Sequence, residues 1–191
     1  MTLAMEAMNM HIDWLRGEME GAAIRTSEKL LGEMYARFAD RDAAEHMPAD
    51  TRLYRVRWFQ PENATEAGRL NWGVTVLEPG RVGDEYFMTQ GHFHADPSRA
   101  EFYTVASGEG MLVLMDRERR TWAEAMRPGT LHAIDGRDAH RVVNTGAEPL
   151  IFWACWPGDA GYDYQSIVEH GFGARVRLRD GKAQLIPEPQ A

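Results

Sequence analysis

Four side chains with nitrogen or carboxylate donors are spaced as the ligands of a single metal ion. His92 and His94 are separated by Phe93, Glu101 follows after six intervening residues, and His140 lies further along the chain. In a β-strand alternate side chains point to the same face, so the two histidines would project together. Three imidazoles and one carboxylate suit Fe, Mn, Ni, Co or Zn better than Mg or Ca. The residues therefore predict one divalent transition metal, held by all four side chains, with two octahedral positions open.

Positioning these ligands requires neighbouring strands, and the sequence beyond Arg52 has the features of an all-β chain. Short segments rich in Val, Tyr, Trp, Phe and Leu alternate with turns that contain Gly, Pro and Asp. Pro97 and Ser98 predict a turn that returns Glu101 beside the two histidines, so that three ligands come from one hairpin. His140 would close the site from an adjacent strand. The predicted strands are 53–59, 71–77, 86–93, 101–106, 111–115, 130–134, 141–144, 149–155, 174–179 and 183–186.

The first 50 residues predict helices instead of strands. Residues 20–38 place apolar side chains at a helical spacing, and residues 5–19 have a similar pattern. A chain of 191 residues is long enough for one domain with a sizeable core. We therefore expect a single domain overall, in which residues 1–50 form a helical extension packed on a barrel of residues 51–191.

Composition excludes several classes of partner and site. The chain carries 21 Lys and Arg against 29 Asp and Glu, a formal net charge of -8, which argues against nucleic acid and anionic membranes as partners. Cys155 is the single cysteine, which excludes an internal disulfide and a multi-cysteine metal site. The N-terminus has neither a basic segment nor an uninterrupted apolar run, so we expect a cytoplasmic protein.

The wider pattern resembles the two metal-binding motifs of the cupin family. Six residues separate the histidine pair from Glu101 and Glu101 from Gly108, and the second motif has three residues between His140 and Asn144. With its flanking residues the chain is similar to the cupin-type phosphoglucose isomerases, first associated with archaea. This resemblance implies an all-β cupin barrel, a double-stranded β-helix or jelly roll, with an N-terminal helical segment. The similar stretches include Thr75-Val76-Leu77, Pro79-Gly80, Gly91-His92-Phe93-His94-Ala95, Arg99-Ala100-Glu101, Pro128-Gly129-Thr130, Ala139-His140-Arg141, Val143-Asn144 and Asp159-Ala160-Gly161.

The resemblance also implies how a pocket beside the metal would bind a phosphosugar. The phosphate group would contact the hydroxyls of Thr75, Thr89 and Tyr103 and the backbone of Gly91. Hydroxyls and a backbone N–H can bind a phosphate dianion without an arginine cluster. The family further implies a homodimer. The sugar would lie against the aromatic side chains of Tyr54, Trp156, Tyr162 and Tyr164.

Two of these aromatic residues depart from the family's pattern. Trp156 stands where the family has a tyrosine, and Tyr162 replaces the histidine of a Gly-His-Asp-Tyr segment. The second change removes a candidate acid-base group for ring opening, because a tyrosine with an ordinary pKa of about 10 shuttles protons poorly at neutral pH. A different phosphosugar therefore stays open as the substrate.

The predicted activity is the metal-dependent interconversion of glucose 6-phosphate and fructose 6-phosphate, with Glu101 and His140 as catalytic residues and Fe²⁺ as the first expectation for the metal. The reaction moves a hydrogen between C2 and C1, and a carboxylate such as Glu101 can carry it through a cis-enediol. A direct hydride shift would need no base, and the sequence leaves both routes open. A cupin oxygenase with the same metal and a sugar-phosphate-binding protein without catalysis are the alternative functions.

Overall fold

The computed structural model describes residues 10–60 and 64–189, and their regular structure is mainly β-strand. The described residues also form the short helices α1 (Arg41–Glu45) and α2 (Gln165–His170) and the 3-10 turns Leu31–Glu33 and Tyr35–Arg37. None of the helices in these ranges has the length and apolar character needed to cross a membrane. In chain order the strands are β1 (His11–Asp13), β2 (Glu18–Glu20), β3 (Ile24–Leu30), β4 (Arg52–Phe59), β5 (Leu70–Leu77), β6 (Arg81–Val82), β7 (Glu85–Tyr86), β8 (Glu101–Ser107), β9 (Gly110–Met115), β10 (Thr121–Met126), β11 (Leu131–Ile134), β12 (Ala139–Asn144), β13 (Leu150–Pro157), β14 (Ala174–Arg179) and β15 (Lys182–Pro187).

The strands form antiparallel sheets that pack in layers. A six-stranded sheet has the order β11-β8-β13-β5-β4-β3, and a three-stranded sheet, β10-β9-β12, packs against its inner face. A four-stranded sheet, β15-β14-β7-β6, packs on the far side of the three-stranded one. The hairpin β1-β2 covers part of the outer face of the six-stranded sheet, where Trp14 stacks on Trp153 with ring centroids 4.9 Å apart. The predicted all-β fold is confirmed.

The alternation of β9 explains how one strand serves two layers. Leu112 and Leu114 pack against the six-stranded sheet, whereas Val113 and Met115 pack towards the four-stranded sheet. Successive side chains of a strand point to opposite faces, so a run that is apolar at every position must be buried on both sides. The neighbouring strand β12 is likewise buried at each of its positions. This central position is the reason that β12 can carry the buried candidate ligand His140.

The predicted helix over residues 20–38 is wrong. Residues 24–30 form β3, which pairs with β4 at the edge of the six-stranded sheet. The helical spacing came from Leu31, Met34 and Phe38, which are buried by two successive 3-10 turns and not by one helix. Pairing with β4 gives the backbone of β3 its hydrogen bonds, and this tertiary contact overrides the local pattern.

The helical prediction for residues 5–19 is also wrong where the structure describes them. His11–Asp13 and Glu18–Glu20 pair as a hairpin, whereas residues 5–9 lie outside the described residues. Gly17, with a φ of +64°, adopts the left-handed conformation that this turn requires. The division into an N-terminal extension (residues 1–50) and a barrel (residues 51–191) stays a prediction. Strand β3 of the first part joins the same sheet as β4 of the second.

Two further strand predictions need correction. The strand expected over 86–93 is limited to β7, and the rest of that segment makes only isolated bridges, at Met88, His92 and Phe93. Strand β10 was not predicted, because its Ala and Glu residues have low strand propensity and its pairing with β9 decides its conformation. The last hairpin is confirmed: Asp180 and Gly181 join β14 to β15 with φ values of 50° and 72°.

Asn144 fastens the end of β12 to its surroundings. Its Nδ2 donates to the carbonyls of Leu77 at 2.8 Å and Glu148 at 2.9 Å, and its Oδ1 accepts from the N–H of Gly146 at 2.9 Å. Asn144→Ala would leave these buried groups unpaired, so we expect it to lower the free energy of unfolding by about 2–4 kcal/mol. Urea unfolding followed by circular dichroism measures this loss, and an unchanged midpoint would contradict the role assigned to Asn144.

Candidate metal centre and active-site pocket

The structure brings the four predicted ligands together at one end of the barrel interior. The ligand atoms of His92, His94, Glu101 and His140 all lie within 4.8 Å of one another. The Oε2 atom of Glu101 is 3.2 Å from Nε2 of His94 and 3.3 Å from Nε2 of His140. All but His92 are buried, and His92 is partly buried. Four ligand atoms this close together, in residues that are buried or partly buried, can hold a single metal ion.

The ligands come from the two sides of the barrel and not from one hairpin, which corrects the sequence-based expectation. The segment that carries His92 runs beside β12, where His92 and His140 exchange backbone hydrogen bonds of 3.3 and 3.0 Å. Glu101 begins β8, whose partners in the six-stranded sheet are β11 and β13. The carboxylate therefore reaches the imidazoles across the interior. The expected position of His140 on a strand adjacent to His92 is confirmed.

The hydrogen bonds around the histidines favour metal binding. Nδ1 of His94 lies 2.6 Å from the carbonyl oxygen of Arg99, so that nitrogen carries a proton. Nε2 of His94 lies 3.2 Å from Oε2 of Glu101, on the side of the other ligands, and can bind a metal when it is unprotonated. Nε2 of His92 and both ring nitrogens of His140 are buried without a hydrogen-bond partner in the described part of the chain. Buried polar atoms are normally paired. A metal would satisfy Nε2 of both residues.

The charge states of His92 and Glu101 also suit a cation. Burial lowers the pKa of His92 well below its ordinary value of 6.5, with a further contribution from the nearby His140. Burial acts in the opposite direction on Glu101, but the imidazoles of His140 and His94 outweigh it and lower the pKa of Glu101 to about 2. At neutral pH the site therefore contains a neutral His92 and an ionised carboxylate, the protonation states in which these groups bind metals.

A cavity of about 410 Å³ opens beside the four ligands, between the inner face of the six-stranded sheet and the segments around residues 89–92 and 162–164. His92, Glu101 and His140 line its inner end. Every residue that the sequence suggested for substrate binding lines the same cavity, namely Tyr54, Thr75, Thr89, Gly91, Tyr103, Trp156, Tyr162 and Tyr164.

Three of the hydroxyl groups that line the cavity, those of Thr75, Thr89 and Tyr103, come from three different segments. Thr75 and Tyr103 project from the inner faces of β5 and β8 and are almost completely buried. Thr89 lies opposite β12, where its Oγ1 accepts a hydrogen bond of 3.0 Å from the N–H of Val142. That acceptance leaves the hydroxyl proton of Thr89 available to a ligand. These three hydroxyls and Gly91 form a wall that can bind an anion.

Trp156, Tyr162 and Tyr164 form an aromatic wall of the cavity, and Asp163 joins this wall to the segment that carries His92 and His94. Phe93 and Asp163 exchange backbone hydrogen bonds of 3.2 and 2.8 Å. Tyr162 and Tyr164, on either side of Asp163, stack with ring centroids 5.7 Å apart, and both contact the ring of His92. Burial raises the pKa of Tyr162 to about 12, although a hydrogen bond with Trp156 opposes the shift. Tyr162 is therefore a neutral hydrogen-bonding group at physiological pH and a poor proton shuttle.

Sequence reasoning missed the part of the cavity that β3 provides. Ser27 and Lys29 line it from this strand, opposite Val56 and Tyr54 of β4. They were missed because residues 20–38 were predicted to be helical. The local signal that could have revealed the strand is the pair of β-branched residues Ile24 and Thr26, which are two positions apart and would share one face of a strand. Further lining residues without a predicted role are Trp58, Gly73, Gln90, Phe152 and Ala154.

Comparisons with known proteins identify the family. The family model described as glucose-6-phosphate isomerase (GPI) matches residues 26–188. The glucose-6-phosphate isomerase of Thermococcus kodakarensis is 40% identical over 177 residues, which cover 91% of this chain and 93% of that protein. The same-named protein of Pyrococcus furiosus is 37% identical over 97% of both chains. That of Sinorhizobium medicae is 35% identical over 94% of this chain and 84% of its own.

Among solved structures, oxalate decarboxylases have looser similarity. The Lactobacillus farciminis enzyme in its formate complex has a TM-score of 0.46 and 18% identity over 58% of this chain and 30% of that one. The Bacillus subtilis enzyme at pH 4.6 has a TM-score of 0.47 and 21% identity over 62% and 28% of the two chains. The family model and the full-length relatives are the stronger findings. The chain belongs to the glucose-6-phosphate isomerase (GPI) family, in the cupin form that its sequence motifs implied.

Proposed function

We propose that this protein is a metal-dependent aldose-ketose isomerase that interconverts glucose 6-phosphate and fructose 6-phosphate. The observation that carries the proposal is that the metal-ligating group and the hydroxyl and aromatic residues suited to a phosphosugar border one cavity. Full-length relatives named glucose-6-phosphate isomerase support the same activity. The activity would serve glycolysis and gluconeogenesis in the cytoplasm.

The role of each metal-binding residue follows from its charge and position. A divalent metal held by the four ligands, Fe²⁺ first and Mn²⁺, Ni²⁺, Co²⁺ or Zn²⁺ as alternatives, would polarise the oxygens at C1 and C2 as a Lewis acid. Glu101, buried and ionised, would take the proton from one carbon and return it to the other. Its contacts with His94 and His140 both use Oε2, so Oε1 is the oxygen that would carry the proton. His140 would hold the carboxylate in that orientation.

The remaining residues would bind and orient the substrate. Thr75, Thr89, Gly91 and Tyr103 would bind the phosphate group through hydroxyls and a backbone N–H. Tyr54, Trp156, Tyr162 and Tyr164 would enclose the sugar and exclude water, with the tyrosine hydroxyls donating hydrogen bonds in their neutral form. Burial raises the pKa of Tyr54 and Tyr164, as it does for Tyr162, so none of these hydroxyls loses its proton at neutral pH.

A coupled assay of fructose 6-phosphate to glucose 6-phosphate conversion tests the proposal. The protein is stripped of metal, reloaded with Fe²⁺ or Mn²⁺, and compared with the stripped form. Activity that depends on the metal is the expected result. Failure on every hexose and pentose phosphate in every metal form would overturn it, and oxygen consumption by the ferrous protein would then favour a cupin oxygenase.

Trp156 and Tyr162 are the reason for including other phosphosugars in that assay. They replace the family's tyrosine and histidine in the wall that contacts the sugar, and the two side chains hydrogen-bond to each other. A larger indole and a non-basic phenol change the shape and the proton donors of this wall. Faster turnover of another phosphosugar than of fructose 6-phosphate would support an aldose-ketose isomerase and would replace glucose 6-phosphate and fructose 6-phosphate as its proposed substrates.

We further propose that the protein is a homodimer that pairs through the outer face of its six-stranded sheet. Leu131, Phe102 and Leu70 lie on this face and are 67%, 49% and 63% exposed. Phe102 is paired with Ala133 on one side and with Cys155 on the other, so the row of side chains is continuous across three strands. An apolar face of this kind gains by pairing with an identical one.

Charged residues on this face are expected to separate the subunits. Phe102→Asp together with Leu131→Glu should convert a two-chain particle to a single chain in light scattering at micromolar concentration, because each change places a charge in an apolar interface. Trp122→Asp, a change at a 38% exposed aromatic residue of the three-stranded sheet, is the matched control and should leave the mass at two chains. A wild-type protein that is already monomeric would contradict the proposal.

A further inference from the structure

The chain beside β12 contains a β-bulge in the wall proposed to bind phosphate. Met88 is paired with Val143 and His92 with His140, so three residues of one segment, 89–91, face only two residues of β12. Gly91 has a φ of +74°, and a Cβ at this position would lie 2.8–2.9 Å from Phe172, Arg141 and the backbone. Bulges re-aim backbone and side-chain groups, and they occur beside active sites. Here the bulge turns the Gln90–Gly91 peptide relative to the strand.

A buried arginine holds this bulge from behind. Arg141 follows His140 on β12, so its side chain leaves the strand on the opposite face, away from the metal ligands. Its guanidinium donates from Nη2 to the carbonyl of Gln90 at 3.1 Å, and its Nη1 lies 2.9 Å from the sulfur of Met88. The guanidinium carbon lies 4.0 Å from the ring centre of Phe172. Arg141 is only 4% exposed.

The contact with Gln90 determines the direction of the next N–H group. The structure contains no cis peptide bond among its described residues, so the carbonyl of Gln90 and the N–H of Gly91 point in opposite directions. With the carbonyl held towards Arg141, the N–H of Gly91 is directed away from it, to the side on which Gly91 lines the cavity. Arg141 thus presents a backbone donor to the cavity without entering it.

Among residues 10–60 and 64–189, no carboxylate pairs with Arg141 to neutralise its charge. Glu85 is the acidic residue with the largest electrostatic effect on it, but the Glu85 carboxylate is bound by Arg175 at 2.8 Å and by the N–H of Ala39. Burying a cation without such a partner is unfavourable, and proteins retain it where a ligand or a site offsets the cost. The unpaired charge lies behind a wall of hydroxyl and N–H donors, which would favour a dianion in front of it.

We infer that Arg141 is the positioning residue of the phosphate site, which orients the N–H of Gly91 through the Gln90 carbonyl and supplies positive charge from behind the bulge. This inference rests on the proposed function, because it assigns the same wall to the phosphate group of the substrate. It extends that function by naming a residue that acts on the phosphate without touching it. Binding of phosphate, and not the chemical step, is therefore what Arg141 controls.

The test measures inorganic phosphate binding by calorimetry and isomerase kinetics on the same metal-loaded proteins. In Arg141→Met we expect the Kd for phosphate and the KM for fructose 6-phosphate to rise at least about tenfold, with kcat within about threefold of wild type and the metal content unchanged. Arg141→Lys keeps the charge but not the fork of donors, and it should recover part of the loss. Arg177→Met removes a partly buried guanidinium of β14 that pairs with Asp84 and Glu188 and does not line the cavity, and it should leave Kd and KM unchanged.

Two results would overturn the inference. One is a phosphate Kd and a KM within twofold of wild type in Arg141→Met, or in Arg141→Gln if the methionine variant does not fold. The other is loss of the metal together with phosphate affinity, which would show a general collapse of the site. A wild-type protein that binds phosphate but does not isomerise sugars would remove the proposed function and leave Arg141 in its role. An active isomerase whose phosphate Kd and KM do not change in Arg141→Met would support the proposed function and overturn the role of Arg141.

Discussion

Replacing Glu101 with glutamine is expected to lower kcat for fructose 6-phosphate by a factor of about 100 to 10,000, the range that a positioned acid-base group contributes. The amide keeps the size of the side chain and one oxygen for the metal, but it cannot accept a proton. The imidazoles of His94 and His140 hold Glu101 ionised, with a pKa of about 2 despite its burial. The lost function is therefore that of a carboxylate base and not that of a neutral acid.

Metal content and a matched variant separate the loss of the base from damage to the site. Glu85→Gln removes another buried carboxylate, which is bound to Arg175 on the other side of the barrel. It should lower stability but leave kcat within about threefold of wild type. If Glu101→Gln retains both its metal and most of its activity, the proton shuttle is wrong and a hydride shift becomes the better mechanism. Deuterium at C2 of glucose 6-phosphate that is recovered at C1 of fructose 6-phosphate without solvent exchange would independently favour the hydride shift.

The grouping of the four candidate metal ligands could be predicted because it depends on residue type and short spacing. His92 and His94 had to share a face in any extended segment, and the motif that contains His140 supplied the fourth ligand. The strand that presents Glu101 was predicted over 101–106 and is observed as β8, but its place in the six-stranded sheet could not be predicted. Its position opposite the histidines follows from the packing of two sheets across the barrel interior, and no local signal records which of two sheets β8 joins.

The missed elements have a common physical cause. Residues 24–30 form a strand only because β4 pairs with them, and the helical rhythm that follows belongs to Leu31 and Met34 in consecutive 3-10 turns. Strand β10 likewise depends on its pairing with β9. The bulge at Gly91 depends on the register between two segments that are distant in the sequence. The glycine is the only part of this bulge that the sequence shows. The local sequence pattern therefore predicted which side chains are buried, but it did not predict which strands pair.

Removal of the metal by a chelator should abolish the isomerase activity and lower the melting temperature. Nε2 of His92 would be left buried without a hydrogen-bond partner among the described residues, which disfavours the metal-free native state. A ligand present at about 1,000 times its Kd stabilises a protein by about 4 kcal/mol, which for a chain of this size corresponds to a rise in Tm of roughly 8–16 °C. Calorimetry of stripped and reloaded protein, with the activity of both, measures the two effects together.

The metal-dependent rise in Tm should be larger at pH 8 than at pH 6, and the cause lies in His94. Burial lowers the pKa of His94, but its hydrogen bond with Glu101 outweighs burial and raises the pKa above the ordinary 6.5. In the metal-free protein this pair stabilises the fold below pH 6.5, and the stabilisation is lost as the pH rises through the raised pKa. Metal binding must displace the same proton, so it competes poorly at pH 6 and freely at pH 8. A rise in Tm that is equal at both pH values would show that His94 is not a ligand. Asp96→Asn removes a smaller contribution to the raised pKa of His94, so it should narrow the difference without abolishing it.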